Sequence, residues 1–143
     1  MRGKTVYKTL AVSLILCLVV TLLSACNKKK MLAYYTEKEN YIDATGTVTF
    51  INYDEDSAAL YIAFSDLSYA FDDTCFKFVG ENLKVVQDKG IDEKLALGKQ
   101  ITFTTAPRYF GDGYVMPIVA LYIDGECLLD FKTGYANLLD WLN

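Results

Sequence analysis

The chain of 143 residues contains no histidine, only two prolines and four cysteines. Without histidine it lacks the commonest general base and the commonest neutral metal ligand, which excludes histidine-based catalytic triads and most zinc sites. The acidic run Asp54-Glu55-Asp56 and the pair Asp72-Asp73 match no EF-hand loop, because the glycine and the twelfth-position glutamate are missing. We therefore expect no bound metal, no cofactor and no enzymatic activity.

Positive charge is scarce beyond the N-terminus. From Met31 onward, 8 Lys and Arg stand against 18 Asp and Glu, a net charge of −10. Nucleic acid binding draws most of its affinity from basic patches, so nucleic acid is excluded as a partner. The length permits one folded domain.

The N-terminus has the pattern of an export signal. Arg2, Lys4 and Lys8 precede an apolar run over residues 10–23, and small residues follow that run. A retained membrane helix is the alternative. The uncharged stretch between Lys8 and Lys28 is 19 residues long, and a helix needs about 20 to span a bilayer.

The tetrapeptide Leu23-Ser24-Ala25-Cys26 favours export over a retained helix. It resembles the bacterial lipoprotein signal, or lipobox. The resemblance implies that residues 1–25 are a signal peptide that is removed, and that Cys26 is diacylated on its sulfur. Two or more acyl chains give stable anchoring in the lipid bilayer. Residues 26–42 then form the lipidated cysteine and a tether, on the extracytoplasmic face of the cell membrane.

Alternation of apolar and polar residues predicts strands in the remainder of the chain. A short helix is predicted over 82–89 and a terminal helix over 133–143. Asp124-Gly125 predicts a two-residue hairpin turn, and Pro117 predicts a sheet edge or a bulge. The predicted strands are 45–53, 58–65, 75–79, 99–105, 114–123 and 126–131.

The order of these elements resembles an OB-fold, a five-stranded Greek-key barrel with a helix between its third and fourth strands. We therefore expect residues 43–143 to be mainly β, with five to six antiparallel strands, one short internal helix and a C-terminal helix. Another small α+β sheet or a small sandwich is the alternative. A fold alone assigns no function.

Cys75 and Cys127 are the thiols that remain once Cys17 is removed with the signal and Cys26 is acylated. Outside the cytoplasm an even pair of cysteines can form a disulfide. Each lies on or next to a predicted strand, so a bridge is one hypothesis. Two separate thiols acting as small apolar side chains are the other.

The loop before the predicted fifth strand is the most site-like part of the sequence. Aromatic residues on a glycine-rich loop suit stacking on sugars or peptides, and a guanidinium can pair with a carboxylate. The alternative is a long hairpin turn whose tyrosines cover the end of the barrel. The candidate ligand-binding residues are Arg108, Tyr109, Phe110, Asp112 and Tyr114.

Together these features predict a membrane-anchored lipoprotein whose domain binds a small ligand or an envelope protein without catalysis. The alternative is a hydrolase at the cell envelope that uses paired carboxylates. Two convergent acids in a cleft would favour the hydrolase, whereas acids spread over solvated turns would favour binding.

Overall fold

The computed structural model of the chain describes residues 27–108 and 115–143, together with Ser13. The chain divides into two units, Met1–Tyr34 and Tyr35–Asn143. Residues 27–36 form helix α1. The second unit begins at Tyr35, within the segment that the sequence assigns to the tether, and the Tyr35 side chain is fully buried.

The second unit is an α+β domain with a six-stranded sheet and a C-terminal helix. The predicted internal helix and terminal helix are both present, and each predicted strand has a counterpart. The elements are a 3₁₀ helix Lys38–Asn40, β1 Ile42–Asp54, β2 Ala59–Ser65, β3 Cys75–Val79, α2 Gly80–Asp88, α3 Ile91–Lys94, β4 Gln100–Thr105, β5 Met116–Ile123, β6 Glu126–Leu129 and α4 Phe131–Leu142.

The hydrogen bonds of the sheet close into a ring. The strand order is β3-β2-β1-β4-β5-β6, and β3 also pairs with β5. This closing pair is parallel and joins Phe76 to Met116 and Lys77 to Pro117. The other described strand pairs are antiparallel, as expected. Five strands therefore enclose a common interior, and β6 extends the sheet from β5.

Aromatic side chains fill this interior. Phe64 of β2 stacks on Phe103 of β4 with ring centroids 4.6 Å apart, and Phe76 of β3 meets Phe103 at 4.9 Å. All three are buried, because alternate residues of a strand point to the same face of a sheet. Offset and edge-on ring pairs of this kind stabilise a core beyond the area that they bury.

Strand β5 carries a bulge near its proline. Thr104 pairs with Ala120 and Thr105 pairs with Ile118, so Val119 is the extra residue. Thr105 donates a hydrogen bond of 2.6 Å from its hydroxyl to the Pro117 carbonyl. The bulge follows Pro117 as expected. The alternative of a sheet edge is wrong, because β5 pairs with both β3 and β4 there.

The predicted turn between β5 and β6 is confirmed. Asp124 and Gly125 have φ values of 52° and 79°. Positive φ at both central residues is the signature of a type I′ turn, whose twist matches that of the flanking strands.

Helix α4 packs on β5 through its smallest residue. Gly134, Leu138 and Leu142 recur every four residues and form its buried face. A Cβ atom at Gly134 would lie 1.8 Å from the carbonyl oxygen of Val119, so only glycine permits this approach. The buried Asn82 of α2 donates a hydrogen bond of 2.9 Å to the Gly134 carbonyl and ties the two helices together.

We expect Gly134→Ala to destabilise the protein. On helix propensity alone, alanine would raise the free energy of unfolding by about 1 kcal/mol over glycine. Here the added methyl overlaps a backbone carbonyl, so we expect a loss of roughly 2–3 kcal/mol or more, measured by urea unfolding. The matched control is Ala136→Gly at an exposed site of α4, which should lower stability by about 1 kcal/mol. A Gly134→Ala protein as stable as the wild type would contradict the packing described here.

Candidate functional site

The predicted binding loop lies largely outside the described residues. Tyr109, Phe110, Asp112 and Tyr114 belong to the residues that the structure does not describe, as does the predicted lipidation site Cys26. Arg108 is described, and its side chain is exposed. Its backbone carbonyl accepts a hydrogen bond of 2.9 Å from the hydroxyl of Tyr35.

The two cysteines of the second unit, Cys75 and Cys127, are free thiols, and each is half-buried. Cys75 begins β3, beside the residue that pairs with Met116 of β5. Cys127 in β6 pairs with Tyr122 of β5. Met116 and Tyr122 are six residues apart, which is roughly 20 Å along a strand. The two cysteines therefore lie towards opposite ends of β5. Burial, followed by the charge of Asp73, raises the pKa of Cys75.

The acidic run Asp54-Glu55-Asp56 starts at the last residue of β1 and continues into a turn. The carboxylate of Asp54 accepts hydrogen bonds from the Ser57 hydroxyl at 2.6 Å and from the Asp56 backbone N–H at 3.1 Å. The bond from Ser57 is the main cause that lowers the pKa of Asp54. These bonds give the carboxylate a structural role in the turn.

Neither a metal-binding cluster nor a membrane-spanning helix is found in residues 27–108 and 115–143. No three or more Asp, Glu or Cys side chains there come close enough together to hold a metal ion. None of the helices in the same part of the chain has both the length and the apolar character needed to cross a bilayer.

An open cleft of about 410 Å³ lies on the outer face of the β1–β4–β5 part of the sheet. This volume falls within the range of small-molecule sites. Strands β4 and β5 supply its floor, and Tyr122 of β5 also forms one wall. The segment 38–43 and the first residue of α4 supply the other wall. The lining residues are Lys38, Tyr41, Asp43, Thr102, Thr104, Ala120, Tyr122 and Phe131.

The floor of the cleft consists of small side chains that strand alternation places on the outer face of the sheet. In β4, Ile101 and Phe103 are buried in the core, so Thr102 and Thr104 lie on the opposite face. Thr104 pairs with Ala120 of β5. The cleft is therefore a place where the outer face of the sheet carries little side-chain volume.

A hydrogen bond orients the carboxylate at one end of this floor. Asp43 of β1 pairs with Thr104 of β4, and the Thr104 hydroxyl donates a hydrogen bond of 2.5 Å to Oδ1 of Asp43. Thr104 is 7% exposed, whereas Asp43 is exposed to solvent. The carboxylate is thus held in place by a buried donor while it faces the open cleft.

Aromatic rings form one wall. Tyr41 meets Phe131 edge-on with centroids 5.3 Å apart and Tyr135 at 5.6 Å. Phe131 and Tyr135 are themselves 5.6 Å apart. The ammonium of Lys38 lies 5.3 Å from the centre of the Tyr135 ring, within the range of cation–π attraction.

Tyr122 forms the opposite wall and is 39% exposed. A side-chain hydrogen bond with Cys127 raises the pKa of Tyr122, and the charge of Cys127 and partial burial act in the same direction. The nearby Asp130 and Asp43 carboxylates add smaller contributions to this increase. The cleft therefore presents a neutral phenol ring at physiological pH.

Tyrosine hydroxyls hold the segment before β1 against the domain. Tyr41 donates a hydrogen bond of 2.7 Å to the carbonyl of Tyr35, and Tyr135 of α4 donates one of 2.7 Å to the carbonyl of Thr36. This segment supplies Lys38 and Tyr41 to the cleft. The wall formed by Tyr41 and Phe131 is thus built from the N-terminal and C-terminal parts of the second unit.

Comparison of the chain with protein-family models, with curated proteins and with solved structures finds no match. The case for a function therefore depends on the geometry of the cleft and on the sequence.

Sequence reasoning missed the cleft. Thr102 and Thr104 lie in the predicted strand 99–105, where alternation identifies them only as polar positions. The predicted strand 126–131 includes Phe131, which instead begins α4. Two features of the sequence point towards the cleft: the polar positions Thr102 and Thr104 in one strand, and the capping residue Asp130, which indicates where α4 begins. Neither feature shows which strands pair with each other, so the cleft cannot be located from them.

The position of Phe131 depends on a helix cap. Asp130 precedes α4, and its carboxylate accepts hydrogen bonds from the Thr133 backbone N–H at 2.9 Å and from the Thr133 hydroxyl at 2.8 Å. These two bonds lower the pKa of Asp130, the bond from the N–H being the larger cause. The cap fixes where the helix begins and so where its first side chain lies.

We expect Asp130→Ala to lower the free energy of unfolding at neutral pH by about 1 kcal/mol. Because the pKa of Asp130 is lower in the folded protein, its stabilisation is full above the unfolded pKa of about 4 and is lost as the pH falls below it. The difference in stability between variant and wild type should therefore shrink towards acid pH in denaturant titrations. Asp140→Ala, at an exposed acid of the same helix, is the control and should change stability by less than about 0.5 kcal/mol. A difference that stays constant down to acid pH would refute the ionised cap.

Proposed function

We propose that the protein is a membrane-anchored extracytoplasmic lipoprotein whose OB-fold domain binds a small polar ligand in the cleft, without catalysis. The anchor is acylated Cys26, and the ligand site comprises Asp43, Thr104 and the aromatic walls. The observation that carries the binding role is the Asp43 carboxylate, which a buried threonine hydroxyl orients towards an open cleft between aromatic rings.

The strand pairing supports the OB-fold assignment. Following the hydrogen bonds around the ring gives β1-β2-β3-β5-β4, with helix α2 between β3 and β4 in the chain. A five-stranded Greek-key ring with a helix in this position is the arrangement of that fold. The sixth strand and α4 are additions to this arrangement, and α4 contributes Phe131 to the cleft.

The distribution of acids favours binding over the hydrolase alternative. Glycoside hydrolysis by paired carboxylates requires two acids about 5–10 Å apart. Among the described residues that line the cleft, Asp43 is the sole carboxylate, and the other lining groups include hydroxyls and the Lys38 ammonium. Asp54 ends β1, where its carboxylate accepts hydrogen bonds within the turn, and Asp56 lies in the exposed turn itself.

The anchor is tested by substituting Cys26. In a bacterial host that processes lipoproteins, the wild-type chain should incorporate an alkyne-labelled fatty acid and be shortened at its N-terminus. Cys26→Ala should abolish both the label and the cleavage, because the thiol is the acylated group and the residue at the cut.

Cys17→Ala is the matched control for this experiment, since it removes a cysteine of the apolar run that the proposal does not use. It should leave labelling and cleavage unchanged. A Cys26→Ala chain that is still labelled or still cut, or a wild-type chain that takes up no label, would overturn the lipoprotein assignment.

The cleft is tested by filling it. Thr102 lies on the floor between Thr45 of β1 and Tyr122 of β5. Thr102→Trp should occupy the floor and abolish binding of small polar fragments, measured by saturation-transfer NMR with the full chain in detergent. Asn52→Trp places the same side chain at an exposed strand site outside the cleft and should leave fragment binding intact. Fragments that bind both variants as well as the wild type, or a wild type that binds none, would contradict the proposed function.

A further inference from the structure

The charges of the cleft favour a neutral ligand. Asp43 and Lys38 contribute one charge of each sign to its described lining. An anion would meet Asp43 and the net charge of −10 from Met31 onward. An organic cation would meet Lys38, whose ammonium already lies against the Tyr135 ring. A ligand with no net charge avoids both repulsions.

The shape of the cleft favours a ligand with one flat apolar face and a polar edge. Thr102, Thr104 and Ala120 form a shallow floor on the sheet. The Tyr122 ring stands on one side and the rings of Tyr41 and Phe131 on the other. Aromatic faces pack well against aliphatic C–H groups, which one face of a sugar ring presents, while its hydroxyls lie around the rim.

The polar groups favour hydroxyls in particular. The Thr104 hydroxyl donates its proton to Oδ1 of Asp43, so Oδ2 remains available to accept from a ligand. A carboxylate only accepts, and an ammonium only donates, so Asp43 and Lys38 require donors and acceptors respectively. A hydroxyl is both donor and acceptor and can satisfy either partner.

We propose that the cleft binds a neutral saccharide, with one ring packed against Tyr122 and a hydroxyl donating to Asp43. This inference rests on the proposed function, because it names the ligand class of the same cleft. The binding is reversible and involves no covalent step. An open cleft buries only part of its ligand, so we expect a dissociation constant on the order of 1 mM for a monosaccharide.

The experiment titrates four monosaccharides against the full chain in a polyoxyethylene detergent, which carries no sugar or charged headgroup. The probes are glucose, galactose, mannose and N-acetylglucosamine, each raised to roughly twenty times the expected dissociation constant. Saturation-transfer NMR reports which ring protons of the sugar contact the protein. At least one probe should bind saturably, with the strongest transfer to the protons of one face.

Two pairs of variants assign this binding to the cleft. Asp43→Ala should weaken it at least about tenfold, because a hydrogen bond to a charged group is lost. Asp56→Ala removes an exposed acid of the β1–β2 turn and should have no effect. Tyr122→Ala should abolish binding, because it removes the ring against which the sugar packs, whereas Tyr122→Phe keeps the ring face and should retain binding. Near-ultraviolet circular dichroism of each variant checks that its tertiary structure is kept.

Two further probes, tetramethylammonium and acetate, separate failure of this inference from failure of the proposed function. If either ion binds in the cleft and no sugar does, the saccharide is overturned and a ligand cleft remains. If no probe binds, or if Asp43→Ala and Tyr122→Ala bind as the wild type does, the saccharide assignment is overturned. If the fragments of the filling experiment also fail to bind, the proposed function is overturned with it.

Discussion

The pairing of β5 with three other strands is the constraint on which the rest of the domain depends. Its first residues close the ring against β3, residues 118–122 pair with β4, and its last residues pair with β6. The bulge at Val119 presents a carbonyl to Gly134, and this contact sets the position of α4. Since β5 also supplies Ala120 and Tyr122 to the cleft, the same strand organises the core, the helix packing and the candidate site. Such sharing explains why nearly every residue of β5 is buried although the chain is short.

The cleft is assembled from four parts of the chain. Lys38 to Asp43 come from the segment before and at the start of β1, the threonines from β4, Ala120 and Tyr122 from β5, and Phe131 from the helix that follows the sheet. Hydroxyls of Tyr41 and Tyr135 hold the first of these parts in place.

Local sequence patterns locate the six strands and helices α2 and α4, but they do not show which strands lie side by side. Alternation located all six strands, and Asp124-Gly125 specified its turn, because both effects act over a few residues. The extent of β1 was underestimated, since Ile42 and Asp43 join the sheet only through Thr105 and Thr104 more than sixty residues later. Phe131 was misplaced because the apolar run of β6 continues across the cap at Asp130. The cleft could not be predicted, because it exists only once β1, β4 and β5 lie side by side.

The alternation in β4 gives neighbouring residues different structural roles. Ile101 and Phe103 contribute to folding stability, whereas the neighbouring Thr102 lines the floor of the cleft. Exchanges at such outward positions alter stability by only a few tenths of a kcal/mol, about the amount typical of surface sites. A lineage carrying this domain can therefore drift in what it recognises while its architecture persists, and relatives with the same backbone need not share a ligand.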